Sequence, residues 1–115
     1  MNIFKKLFGG QKTTEEVRET KEKGFDKVKY EGVRALRMHQ FDLAAKFLEQ
    51  ALQLNAEDLE CRDYLSQAYI SMGNLQQAYA QLQKISEAQS DNIAVLLRMA
   101  DVAYMMEDYI AMTDV

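Results

Sequence analysis

At 115 residues the chain has room for one domain with a single core and too little length for two ordinary globular domains. Close to half of the residues are apolar (48%), none is proline, and the formal net charge is -4, which together favour uninterrupted helices and exclude a broad attraction to nucleic-acid phosphates. The single cysteine, Cys61, excludes an intramolecular disulfide and a cysteine-based zinc site and fits a reducing compartment, so the expected location is the cytoplasm.

The first element, residues 1–12, is basic: Lys5, Lys6 and Lys12 stand without an acid, whereas residues 25–115 carry 8 bases against 14 acids. A helix here would put Ile3, Phe4, Leu7 and Phe8 on one stripe and Lys5 and Lys6 on the other side, an amphipathic arrangement suited to peripheral contact with an anionic membrane surface. A frayed tail, or a flap docked on the rest of the chain, is the competing expectation. The apolar run is broken by the two lysines and stops at Gly9 and Gly10, too short for a signal peptide or a membrane span. Residues 13–24 have Val17 as their only large apolar group and cannot join a core. They read as a polar linker, or as a solvated helix opened by a Thr13/Glu16 capping box and stopped at Gly24.

From Phe25 onward the chain repeats with a period of 34 residues. Gly32, Ser66 and Ala100 fall in register as small residues, followed by Ala35, Tyr69 and Ala103, then Leu36, Ile70 and Tyr104, then Met38, Met72 and Met106, then Phe41, Leu75 and Tyr109. So many similar pairs at one spacing indicate a repeated supersecondary unit, with repeats at 25–58, 59–92 and an incomplete 93–115. Each unit divides into two amphipathic helices, running in the second repeat from Leu59 to Met72 and from Leu75 to Ala88. Gly73 and Asn74 separate them, with Asn74 and Gln77 arranged as a capping box, and a link this short requires antiparallel neighbours. Small residues on both helices, Gly32, Ser66 and Ala100 on the first and Ala44 and Ala78 on the second, would let the axes approach closely. Between repeats, Asp58 and Asn92 are placed to cap the helices that follow. The third unit has a first helix near Ile93 to Met106 and only Tyr109 to Val115 for a second. This end is expected to expose Leu97, Met105, Tyr109 and Met112, unless the short last helix folds back as a cap. It implies either a longer natural repeat protein or a second chain, as in a homodimer, covering the end.

These features resemble the tetratricopeptide repeat family. The second repeat carries the resemblance through Leu65, Ser66, Tyr69, Gly73, Ala78 and Leu82, and the first through Gly32, Phe41, Ala44, Leu48, Ala51 and Leu54. Trp is absent from the first helices, and Ala56 and Ser90 stand where the family commonly has Pro. The resemblance implies an all-α fold, antiparallel helix pairs stacked as a short right-handed solenoid, whose first helices line a concave groove for a peptide or a helix of a partner protein. One subgroup of the family clamps the acidic C-terminus of heat-shock chaperones; Lys29 and Arg98 match that set, but Val33, Tyr64 and Ala94 replace two Asn and one Lys.

Catalysis has little to work with, since His39, the only histidine, sits at a turn and Cys61 lies on a packing stripe beside Leu65. The acids Glu57, Asp58, Glu60 and Asp63 gather at a helix start, where they complement the macrodipole, and no calcium-loop pattern accompanies them. The expected function is therefore a non-enzymatic, cofactor-free adaptor, with a self-assembling structural repeat as the alternative. Groove candidates are the outward residues of the first helices, Lys29, Val33, Leu36, Arg37, Asp63, Gln67, Ile70, Leu97, Arg98, Asp101 and Tyr104. Leu36, Ile70 and Tyr104 recur at one repeat position, as an apolar strip for a partner or as contacts to neighbouring helices. Met99, Met105, Met106 and Met112 cluster near the C-terminus, where flexible thioethers suit an adaptable binding surface but ordinary helix packing is the expectation.

Overall fold

The computed structural model describes residues 14–113, so the stripe Ile3, Phe4, Lys5, Lys6, Leu7 and Phe8 and the Thr13 half of the capping box lie outside the described residues. Five helices follow one another: α1 (Thr14–Arg37), α2 (Phe41–Leu54), α3 (Leu59–Ser71), α4 (Leu75–Ala88) and α5 (Ile93–Thr113). Each packs on the next, and α1 also touches α3, so the helices build an all-α stack of antiparallel pairs.

The first departure from expectation lies in α1, which runs through Gly24 instead of stopping there. Gly24 is not in the left-handed region that a helix stop requires, and the Glu, Lys and Arg around it are strong helix formers. Packing by Phe25, Gly32 and Ala35 anchors the C-terminal part of α1, and the exposed residues 14–23 extend from it as a solvated helix.

The stops after α1 and α3 share one chemistry. His39 (φ 59°) and Gly73 (φ 78°), 34 residues apart, both take the left-handed conformation. The next backbone N–H reaches back over the last turn, from Gln40 to the Ala35 carbonyl at 2.9 Å and from Asn74 to the Tyr69 carbonyl at 2.8 Å. These six-to-one bonds satisfy carbonyls that the helix ends would leave open. The Asn74 side chain makes no capping bond, contrary to the capping-box expectation. Asp58 and Asn92 do cap: Asp58 accepts from the Cys61 N–H at 2.9 Å and Asn92 from the Val95 N–H at 3.2 Å.

The core is continuous through the small residues. Ala44, Leu48, Ala51, Cys61, Leu65, Ser66, Ala68, Ala78 and Leu82 are all buried, and Cys61 Sγ donates to the Leu48 carbonyl at 3.4 Å. A Cβ on Gly32 would stand 2.7 Å from Leu48 Cγ, so a glycine is what lets α2 lie this close on α1. Ile70 touches both halves of the core and joins the first pair of helices to α4 and α5.

The largest departure is α5. A turn between Met106 and Tyr109 was expected, but one helix continues from Ile93 to Thr113. The position in register with His39 and Gly73 is Glu107, a helix former that is not in the left-handed region. With no second helix folded back, Ala100 is exposed although its register mates Gly32 and Ser66 are buried.

Candidate functional site

The candidate residues recur by register, and each first helix is overlapped by the next. Lys29, Asp63 and Leu97 share one position; Val33, Gln67 and Asp101 a second; Leu36, Ile70 and Tyr104 a third. On α1 and α3 these residues are half-buried, whereas on α5 Asp101 is exposed, Leu97 is 62% exposed and Tyr104 67%. The gradient follows the packing: α1 touches α3, and Arg98 of α5 reaches Asp63 of α3, but among the described residues no further first helix follows α5. Leu36 and Ile70 pack against the core, so for them the recurring strip is a contact between helices, and only Tyr104 presents its ring to solvent.

Polar groups of the row bridge one first helix to the next. Lys29 Nζ pairs with Asp58 and with Glu60, each at 2.9 Å, and lies 5.6 Å from the centroid of the Phe25 ring. Burial disfavours the charged ammonium, but the hydrogen bonds and charges of Glu60 and Asp58 outweigh it and raise the Lys29 pKa. Asp63 pairs with Arg98 of α5 and also accepts from the Gln67 amide at 3.2 Å. Arg37 is exposed at the end of α1. Of the acids that gathered at the start of α3, Asp58, Glu60 and Asp63 are therefore engaged by cations of the neighbouring first helices, a pairing across repeats that spacing along one helix could not reveal. Arg62, which sequence reasoning passed over, ties α3 to α4 through Gln81 at 2.9 Å and to the preceding turn through the Ala56 carbonyl at 2.9 Å.

Groups with chemical potential elsewhere are held in structural roles. Cys61 is buried, and burial first, then the Asp58 charge, pushes its thiol up to about 11, leaving it protonated and unreactive at neutral pH. Tyr69 donates to Glu49 and is raised above the ordinary phenol range by burial and by that bond. His39 is exposed and stacks on Phe41 with ring centroids 5.6 Å apart. Met99 and Met106 pack in the C-terminal half of the core and Met105 is exposed, while the side chains of Tyr109 and Met112 lie outside the described residues.

Two of the clefts in the surface open at the turns between paired helices, and no residue of the row lines either. One is lined by Gly73–Gln77 with Met106 and Ile110, the other by His39–Leu43 with Ser71 and Met72. Among the described residues no helix is long and apolar enough to cross a membrane. A family model described as tetratricopeptide repeat matches residues 35–100, more than half of the chain. No curated protein matches it.

Proposed function

The chain belongs to the tetratricopeptide repeat family, and from that premise we propose that it is a non-enzymatic protein-interaction module that receives a peptide or helix of a partner on the row of α1, α3 and α5. The observation that carries this reading is the exposed pair Leu97 and Tyr104 beside the Asp63–Arg98–Gln67 network. Two apolar side chains, each more than three-fifths exposed, offer the anchors that dominate binding energies, and the polar network beside them can fix the orientation of a bound backbone. Val33, half-buried one and two repeats away from Gln67 and Asp101, extends the same surface toward α1.

Site-specific photo-crosslinkers test this assignment. Placed at Val33, Gln67 and Asp101, each should join captured partner segments, while the same group at the exposed Lys46 and Lys84 of the second helices should not. Crosslinks confined to the second helices would refute the row as the binding face.

A further inference from the structure

The two ends of the stack carry faces that complement one another. On α1, Lys23, Lys27, Tyr30 and Arg34, continued by Met38 in the turn just after it, follow at spacings of four, three, four and four residues and so share one face. All five are exposed, Tyr30 by 65% and Met38 by 57%, and among the described residues no ion pair engages the three bases. At the other end, Ile93, Leu97, Ala100 and Tyr104 of α5 follow at spacings of four, three and four, opposite the buried Val95 and Val102. Ile93 is 69% exposed. The exposed acids Asp101, Glu107 and Asp108 fringe this face, and no ion pair engages them either.

We propose that α1 of a second copy of this chain docks on the open face of α5, joining copies head to tail. The register points to a helix as the occupant: Gly32 and Ser66, at the position of Ala100, are buried, Gly32 directly beneath Leu48 of α2. The charges select which helix. The bases of α1 answer the acids of α5, whereas two α5 faces brought together would oppose acid to acid.

An antiparallel approach, the one used by every hairpin in the stack, meshes the two faces along their length. Lys23 to Met38 and Asp108 to Ile93 each span fifteen steps of helix, about 22 Å. Lys23 then falls opposite Asp108, Lys27 opposite Tyr104 with Glu107 beside it, Tyr30 opposite Asp101 with Ala100 beside it, Arg34 opposite Leu97, and Met38 opposite Ile93. A large ring lies next to the small residue at the centre, and a cation meets an aromatic face or a carboxylate near one end. The contact is heterologous, so a pair of copies still has one free face of each kind, on opposite copies, and the assembly grows beyond a dimer. A single helix pair is a small interface, below the roughly 1,200 Å² of stable complexes, and its association should be weak and sensitive to salt. Leu97 and Tyr104 belong to both this face and the proposed partner row, so a second copy and a partner would compete there, but Lys23, Lys27, Tyr30 and Arg34 lie off the row and can be altered while it stays intact.

Two charge-reversal variants of the full chain provide the test: Lys27→Glu with Arg34→Glu on α1, and Glu107→Lys with Asp108→Lys on α5. In sedimentation equilibrium at low salt, up to about 100 µM protein, the mean mass of the unaltered chain should rise with concentration and fall back at high salt. Each variant alone should stay monomeric with an unchanged circular dichroism spectrum, and mixing the two should restore association, because one supplies the intact α5 face and the other the intact α1 face. The proposal is overturned if the unaltered chain remains monomeric throughout. It is equally overturned if the α1 variant associates as the unaltered chain does, which would indicate pairing between α5 faces, or if the mixture stays monomeric.

Discussion

Two glycines in one helix should respond to the same substitution in opposite directions. Gly24 and Gly32 both sit in α1, where alanine is intrinsically better than glycine by about 1 kcal/mol. At Gly24 the nearest atom to an added Cβ is Leu54 Cδ1 at 3.8 Å, an ordinary contact, so Gly24→Ala should realise that gain. At Gly32 the added carbon would lie 2.7 Å from Leu48 Cγ, 2.8 Å from Leu48 Cδ2 and 3.3 Å from the Leu48 backbone nitrogen. Leu48 is fully buried and cannot swing away, so overpacking should cost about 1 to 3 kcal/mol and outweigh the helix gain. The difference between the two variants isolates the steric cost, because the propensity change is common to both. In a domain of this size each kcal/mol moves the melting temperature by about 4–8 °C, readily resolved by far-ultraviolet circular dichroism. Substituting Leu48→Ala removes both clashing carbons, so in that background Gly32→Ala should recover most of its cost. Ala100, the register mate of Gly32, has no helix over it, and Ala100→Leu at low micromolar protein should stay within about 0.5 kcal/mol of the original. The reasoning fails if Gly32→Ala melts at or above Gly24→Ala.

Three further outcomes follow from the caps, the turn and the buried thiol. Asp58→Ala removes both the cap on α3 and a partner of Lys29 and should lower stability by about 1–2 kcal/mol in urea unfolding, while Asn74→Ala, whose side chain makes no capping bond, should change it by less than about 0.5 kcal/mol. Gly73→Ala should cost about 1–2 kcal/mol through backbone strain alone, since φ is 78° and nothing lies within 4 Å of the added carbon; an unchanged midpoint would contradict the left-handed stop. Cys61 ionises near 9.0 when unfolded and near 11 when folded, so the native state holds its proton longer and stability should fall between those pH values, by about 2–3 kcal/mol in all. Cys61→Ala, compared with the original across the same range, should lack that fraction of the fall.

Much of this architecture was legible in the sequence because it depends on neighbours along the chain. The period of 34 residues, the paired helices, the caps at Asp58 and Asn92 and the buried Ala44 and Ala78 follow from spacing, short polar side chains and side-chain size, and the structure has each of them. His39 was legible as a solvated turn residue; that it replaces a glycine in the left-handed region was not, since no local signal distinguishes it from a helix-compatible residue. Tertiary structure decided the rest. Whether Leu36, Ile70 and Tyr104 face a partner or a neighbour depends on what packs on them, and the first two are packed against the core whereas Tyr104 is 67% exposed. The destination of Asp58, Glu60 and Asp63 was equally non-local, because Lys29 and Arg98 reach them from helices adjacent in space but 29 to 35 residues away in sequence. The uninterrupted α5 turns on the same distinction: the alignment of Glu107 and Asp108 with a turn suggested a break, but without a left-handed residue at 107 the backbone keeps its helical bonds to Thr113. Periodicity can specify where a second helix would dock, and Ala100 preserves that small-residue position, but only packing determines whether a helix covers it, because burial is a property of the neighbour as much as of the residue.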